Sequence, residues 1–435
     1  MRDHFMKVAV EDISSVKKSL RIEVPQEVVK KEFESAYSDL KKRTKLPGFR
    51  QGKVPIDLLE KRFSHEVEHD VVKRLVPDYY QRALKEKGII PVVLPTIEKV
   101  DVKPDAPLSF TATVETKPDI KLSQYEGLPL TRKKIDIQDQ AVEDGLKALQ
   151  DSHGQLVSCD PSHEVQTDEF VLIDFEGQVD GKPFEGGQDK GLLVQVGSHK
   201  LISGFEEKLV GRRKGDELQF TIPFPPDYHR QELSGKEAEF HVVVREIKVK
   251  NLPDLDDEFA KDVGEYATLE ELKKALRKGI EERAKQDMES DLRNQAIQQL
   301  IEKHPMESPP SLIEHELSSM LYRLQQQFKQ QGQPFDPSDP QWAPVREKYL
   351  TLARERIQGR LILQEIAHLE KMEISNQEIE GELTKMAQET KHEIGDIRRY
   401  IRSNENAKED LRTRLLEDKA LSFVLSKASY SENPR

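Results

Sequence analysis

The sequence predicts a multidomain α+β protein: an α+β head, a compact β domain and an elongated helical remainder. Three observations carry that expectation. At 435 residues, and with roughly 100–200 residues to a typical domain, the chain is too long for one domain. Hydrophobic residues make up 36% and charged residues 34%, too polar for one large core and too periodic for a disordered chain. The apolar period also changes along the chain: mixed in the first part, two-residue alternation within 170–249, and helical beyond Pro253.

Composition excludes several classes. The chain holds 68 Lys and Arg against 80 Asp and Glu, a net charge of −12, which argues against a DNA-binding protein or a general nucleic-acid binder. The charge is uneven, however. Residues 1–118 are net +4, so a basic head sits on an acidic body, and that end is expected to meet a polyanion or an acidic partner. No apolar run approaches the roughly 18 residues a membrane helix needs, and the first residues lack the apolar stretch of a signal peptide. A single cysteine, Cys159, excludes an internal disulfide framework and a Cys-based metal cluster. These absences predict a cytoplasmic protein with no membrane partner.

Each element has its own signal. Residues 8–24 read as two strands, with Leu20, Ile22 and Val24 alternating in the second. Pro25 opens a helix with the stripe Val29, Phe33, Ala36, Tyr37 and Leu40. Lys41 to Pro55, broken by Pro47, Gly48, Gly52 and Pro55, reads as a loop. Helices resume from Ile56 to Lys87 with Leu59, Phe63, Val67, Val71, Leu75 and Tyr79, and strands follow near 93–103 and 108–117. Residues 119–164 mix both signals and read as a connector. Strands are expected at Val171–Phe175, at Leu192–Val196, around Leu218, Phe220 and Ile222, and around Phe240, Val242 and Val244. Beyond Pro253, Thr268–Glu271 and Ser375–Glu378 match the capping box. One broad stripe runs from Leu312 to Phe328, and Pro305–Pro310 and Pro334–Pro344 divide the region into hairpins or arms. Met306, Met320, Met372 and Met386 are compatible with an adaptable client surface there, although methionine at helical spacing more often fills a core.

Two apparent motifs do not hold. His65-Glu-Val-Glu-His69 spells a zinc-protease helix, but no third ligand follows and Glu68 is charged where such helices are buried, so it reads as a solvated face. Gly48 to Val54 is one residue short of a phosphate loop, and Val54 replaces the magnesium-holding hydroxyl. No metal and no cofactor are expected, and Cys159 reads as an inert thiol.

The β region is more specific. Ile173-Asp-Phe-Glu-Gly177, Asp180 through Gly187, Val196-Gly197, Leu201-Ile-Ser-Gly-Phe-Glu206, Gly211 to Asp216, Pro223 to His229 and Ala238 to Lys248 closely resemble FKBP-type peptidyl-prolyl isomerases. The resemblance implies an antiparallel sheet around one short helix, Gly204–Val210, with Phe205 on the pocket floor. Phe175, Phe184, Glu185, Leu201, Ile202, Tyr228 and Phe240 would complete the catalytic set. Glu185 stands where many members have Asp, and Ser203 replaces a common Pro or Arg. Such a pocket needs no nucleophile, because a dry aromatic site favours the twisted, less polar amide.

In the head, Gly48, Phe49, Arg50, Gly52, Lys53 and Pro55 match G-F-R-x-G-K-x-P, which resembles the ribosome-binding loop of the bacterial trigger factor family. Residues 41–53 hold six cations and no acid, as an interface with ribosomal RNA and a ribosomal protein requires. The order of loop, β domain and helical tail resembles that family over the whole chain. The resemblance implies four segments: a ribosome-binding head (1–118), a connector (119–164), an isomerase (165–250) and a helical substrate-binding part (251–435). The implied partners are the large ribosomal subunit near its exit tunnel and nascent polypeptides, whose folding and export would be assisted. Two matters stay open: a homodimer off the ribosome, and the alternative of a ribosome-independent holdase with an accessory isomerase.

Overall fold

The structure, a computed structural model, describes residues 6–47, 49–50, 52–226, 228, 230, 232–331 and 335–433. Strands β1 (Lys7–Ser14) and β2 (Lys17–Val24) lead into helices α1 (Gln26–Arg43) and α2 (Ile56–Lys87), then β3 (Thr96–Asp101), β4 (Leu108–Glu115) and β5 (Pro129–Lys133). Helix α3 (Asp139–Ser152) precedes β6 (Gln155–Ser158), β7 (Phe170–Val179), β8 (Lys182–Gln195), β9 (Glu217–Pro223) and β10 (Glu237–Asn251). Helices α4 (Asp257–Val263), α5 (Leu269–Lys303), α6 (Pro310–Gln330) and α7 (Ala343–Leu369) follow. After them come α8 (Asn376–Thr390), α9 (Ile394–Ser403), α10 (Glu405–Lys427) and strand β11 (Ser429–Asn433). The chain forms two compact units, Met1–Lys134 with Met288–Arg435, and Ile135–Asp287.

In the first unit the head sheet has the order β1-β2-β4-β3, antiparallel throughout. Alternation places Leu20, Ile22 and Val24 of β2 and Leu108, Phe110, Ala112 and Val114 of β4 in the core. Every residue of the α1 stripe is buried in that core. The helix continues to Arg43, into the expected loop, because Lys41, Lys42 and Arg43 in its last turn complement the helix dipole. Helix α2 bends at Phe63 (φ −128°, ψ 17°), which leaves that ring only partly buried, and ends on left-handed Gly88.

Elsewhere in this unit, β11 pairs in parallel with β5. Leu130 of β5 and Leu128 just before it are buried among Ala296 and Leu300 of α5, Ile362 and Ile366 of α7, and Leu421 and Val424 of α10. Head and helices meet through Ser15 Oγ donating to Glu307 (2.8 Å) and the Ser311 amide donating to Glu115 (3.0 Å). The hairpin of α6 and α7 closes on Leu317, Met320, Leu321 and Ala353, and Phe328, Phe335 and Trp342 cluster near its tip. The expected break at Pro334 lies outside the described residues. Met320 is buried in that hairpin, while Met306, Met372 and Met386 are half-buried against neighbouring cores.

The Ser375 capping box is complete: the Ser375 amide donates to Glu378 (2.8 Å), and the Glu378 amide to Ser375 Oγ (3.3 Å). The Lys419 ammonium, donating at 2.8 Å, and then the Ser375 amide and hydroxyl hold the Glu378 carboxyl down to about 2 from its ordinary 4.5. A depressed carboxylate stabilises the fold above its unfolded value and loses that contribution as pH falls toward the folded one. Hydrogen-exchange protection of α8 should therefore fall between pH 4.5 and 2, and Glu378→Gln should lower it and flatten that pH response. At Thr268 the box is only half formed. The Glu271 amide meets Thr268 Oγ (3.3 Å), but the Glu271 carboxylate accepts the Ala267 amide (2.9 Å) instead of the Thr268 amide, and Asp257 accepts the Leu269 amide (2.8 Å).

In the second unit β10 is the spine of a curled antiparallel sheet of order β6-β10-β7-β8, with β9 also on β10. Beside the sheet, α3, α4 and the first part of α5 enclose Leu146, Phe259, Ala260 and Leu272. The short helix expected at Gly204–Val210 is a single 3-10 turn, Glu206–Lys208, stopped by left-handed Gly211 (φ 78°).

Candidate functional site

The sheet of the second unit curls around a cluster of rings. Phe175 projects from β7 and Phe240 from β10, where Phe240 lies opposite both Gly177 and Phe220. A Cβ on Gly177 would come within 2.6 Å of the Phe240 ring, so glycine is what lets that ring lie flat across β7. Phe205 is 3% exposed and inserts its edge among Phe175 (6.1 Å), Phe220 (5.3 Å) and Phe240 (5.2 Å). These edge-to-face contacts fix the ring orientation.

Phe205 is held by its neighbour. The buried Glu206 carboxylate accepts the amides of Gly197 (2.8 Å), His199 (3.0 Å), Lys200 (3.0 Å) and Leu201 (3.2 Å), and the Ser198 hydroxyl (3.2 Å). Burial pushes its pKa up, but donation from His199, Leu201, Ser198 and Gly197 outweighs burial and leaves the carboxyl below its ordinary value. This residue was not anticipated, since an acid in Gly-Phe-Glu-Glu reads as surface.

Around these rings lies a cavity of about 430 Å³. It brings together Phe175, Phe184, Leu201, Ile202, Phe205, Tyr228 and Phe240, seven of the eight residues singled out in the β region. Glu185 is not among the lining residues: its side chain is 88% exposed and pairs with Arg230. The longer Glu, in place of the family's Asp, reaches outward to that guanidinium. Phe224, Leu192, Pro225 and Gly186 also line the cavity and were missed, Phe224 because it sits in the proline-rich stretch read as a turn. A wider cleft of about 960 Å³ in the first unit has no aromatic lining residue and four cations, Lys18, Lys87, Lys117 and Arg360. It is too polar for the same chemistry.

The head loop is built from two turns, closed by the Phe49 amide on Leu46 (3.1 Å) and the Lys53 amide on Arg50 (2.9 Å). Gly52 (φ 82°) occupies the third position of the second turn, where a type II turn needs a left-handed residue. Fully buried Val54 anchors the loop to the head core, and Pro55 opens α2. Phe49 is 41% exposed, and Ile56 and Leu58 in the first turn of α2 are exposed too. Lys42 and Arg43 pair with Asp39 and Asp70, whereas Arg50 and Lys53 are exposed and have no ion pair among the described residues. Gly48 lies outside those residues.

His65 is wholly exposed beside Glu68 on α2, and His69 is exposed as well. Burial, then Glu169, pushes the Cys159 thiol up, away from the reactive thiolate.

Family models for the bacterial trigger factor protein match residues 6–149 and, for its C-terminus, 268–426; between them, one for FKBP-type peptidyl-prolyl cis-trans isomerase matches 162–248. The trigger factor of a Geobacter species is 36% identical over 431 residues, 99% of either chain. That of Geobacillus kaustophilus is 38% identical over 415 residues, 94% of this chain and 97% of its own. The chain belongs to the bacterial trigger factor family. It is a ribosome-associated chaperone carrying an FKBP-type peptidyl-prolyl cis-trans isomerase domain. A solved structure described as "Promiscuous Substrate Recognition in Folding and Assembly Activities of the Trigger Factor Chaperone" is 21% identical, covering 96% of this chain and 99% of that one at a TM-score of 0.49. No helix among the described residues is long and apolar enough to cross a membrane.

Proposed function

We propose that the 430 Å³ cavity is where Xaa-Pro bonds rotate, with Phe205 as its floor. The carrying observation is the convergence of Phe175, Phe205 and Phe240 on one aromatic-walled cavity. Rotation crosses a barrier of about 18–20 kcal/mol because amide resonance is lost, and the twisted carbonyl is less dipolar than the planar one. An apolar wall therefore favours the twisted form, and ring packing excludes the water that favours the planar form. Leu201 and Ile202 extend the apolar wall. Replacing Phe205 by Leu, which keeps much of its burial, should lower kcat/KM at least about ten-fold on a short peptide with an apolar residue before proline. Near-UV circular dichroism should stay native. An unchanged rate in the folded variant would remove the cavity as the site.

The same proposal assigns the loop of Phe49, Arg50, Gly52, Lys53 and Pro55, with Gly48, to docking on the large ribosomal subunit near the exit tunnel. Its exposed apolar ring and two exposed cations, which have no ion pair among the described residues, suit a mixed surface of ribosomal protein and RNA. Segments 1–118, 119–164, 165–250 and 251–435 are then head, connector, isomerase and helical client-binding part of a cytoplasmic protein. Ile90 (81% exposed) and Leu94 (90%) offer further apolar surface for nascent chains.

A further inference from the structure

We propose that Arg230 is a positioning residue for isomerisation: its guanidinium clamps the two loops that carry Phe184 and Tyr228. The inference rests on the cavity being the isomerase site. Along the pairing of β7 with β8, Gln178 lies opposite Pro183 and Glu176 opposite Gln188, so the four residues 184–187 face Gly177 alone. This is a large bulge of four residues against one, and it takes its residues out of the regular ladder. Its conformation is one that only glycine admits: Gly186 is left-handed (φ 78°), and a Cβ on Gly187 would sit 2.9 Å from the Phe184 ring. The bulge carries Phe184, one wall of the cavity.

The facing wall comes from the loop between β9 and β10, which carries Phe224, Pro225 and Tyr228. Arg230 lies in that loop and forks across the gap. One terminal nitrogen donates to the Glu185 carbonyl (2.6 Å), and the other to the Glu185 carboxylate (2.7 Å). The carbonyl is thus satisfied from the opposite loop, in a segment the strand ladder does not hold. Phe184 then packs edge-on to Phe224 (5.6 Å), and Phe224 lies against Tyr228 (4.6 Å).

The two halves of the fork differ in weight. The Glu185 side chain is 88% exposed, where ion pairs contribute little, whereas the Arg230 side chain is only 30% exposed and its bond to the carbonyl fixes the backbone beside Phe184. A lysine ends in a compact, strongly hydrated ammonium rather than a rigid planar fork, so it does not hold the Glu185 carbonyl in the same direction. The arrangement therefore predicts an order of effects. It also accounts for Glu185: its backbone serves the site more than its carboxylate does.

The test uses the full chain and exchange NMR on a short proline peptide, with kcat and KM resolved. Arg230→Ala should lower kcat roughly ten-fold while KM stays within about two-fold, because the walls lose alignment rather than area. Arg230→Lys should remain impaired, and Glu185→Gln should stay within about two-fold of wild type. Near-UV circular dichroism checks folding, and if Arg230→Ala does not fold, Arg230→Lys carries the same criterion. A folded Arg230 variant with wild-type kcat, beside a Phe205→Leu control that loses activity, would overturn the clamp. So would a Glu185→Gln variant as slow as Arg230→Ala. A Phe205→Leu control with full activity would instead sink the site assignment, and the clamp with it.

Discussion

Replacing Phe49, Arg50 and Lys53 together by Ala should abolish co-sedimentation with ribosomes and leave isomerase activity at its wild-type value. The three side chains are exposed, and the loop is held from beneath by Val54 and by its two turns, so the head should keep its thermal stability. A central aromatic anchor is typically worth at least about 2 kcal/mol when it becomes fully buried, which together with two lost phosphate contacts amounts to a hundred-fold or greater loss of affinity. The contributions separate by salt. Arg50→Ala with Lys53→Ala should flatten the dependence of log affinity on log salt by about 0.7–0.9 per lost contact. Phe49→Ala should weaken binding equally at low and high salt, because its contribution is burial rather than charge. Ribosome binding by the triple variant at wild-type affinity would mean that the loop is only a basic turn.

The second large effect is expected at Glu206. Its carboxylate gathers four backbone amides and one hydroxyl into the segment that leads to the cavity floor. Glu206→Ala would leave those donors without an acceptor. At about 1–3 kcal/mol for each buried unsatisfied group, with some recovered by entering water, the second unit should lose on the order of 3–5 kcal/mol. Urea unfolding followed by a probe in residues 135–287 measures this. Glu206→Gln should be milder, since one amide oxygen can still accept. Isomerase activity should fall in step, because Phe205 hangs from the same turn. A loss under about 1 kcal/mol for Glu206→Ala would show that water replaces the carboxylate easily.

What was legible in the sequence had a local period. The stripe of α1, the alternation in β2 and β4, and the strands around Phe175, Phe220 and Phe240 announce themselves within ten residues. The cavity walls were legible only through the FKBP-type resemblance, since Leu201, Ile202, Phe205 and Tyr228 lie in turns and loops that carry no strand period. Glu206 was not, because nothing local distinguishes a carboxylate facing solvent from one folded back onto its own loop. Glu185, in the bulge, turns outward to Arg230, which is 45 residues away. The pairing of β5 with β11 joins two five-residue strands 300 residues apart, and neither carries a signal for the other.

That last pairing bears on how the protein itself is born. Residues 135–287 are contiguous, so their sheet can close as soon as they leave the ribosome. The unit that contains β5 must wait. At about 5–20 residues per second, β11 is made some 15–60 s after its partner strand, and until then β5 has no strand to pair with. During that interval the apolar side chains of Leu128 and Leu130 have no finished core to enter. A protein that shelters unfinished chains is for those seconds an unfinished chain of the same kind, and a ready client for mature copies already seated at neighbouring ribosomes.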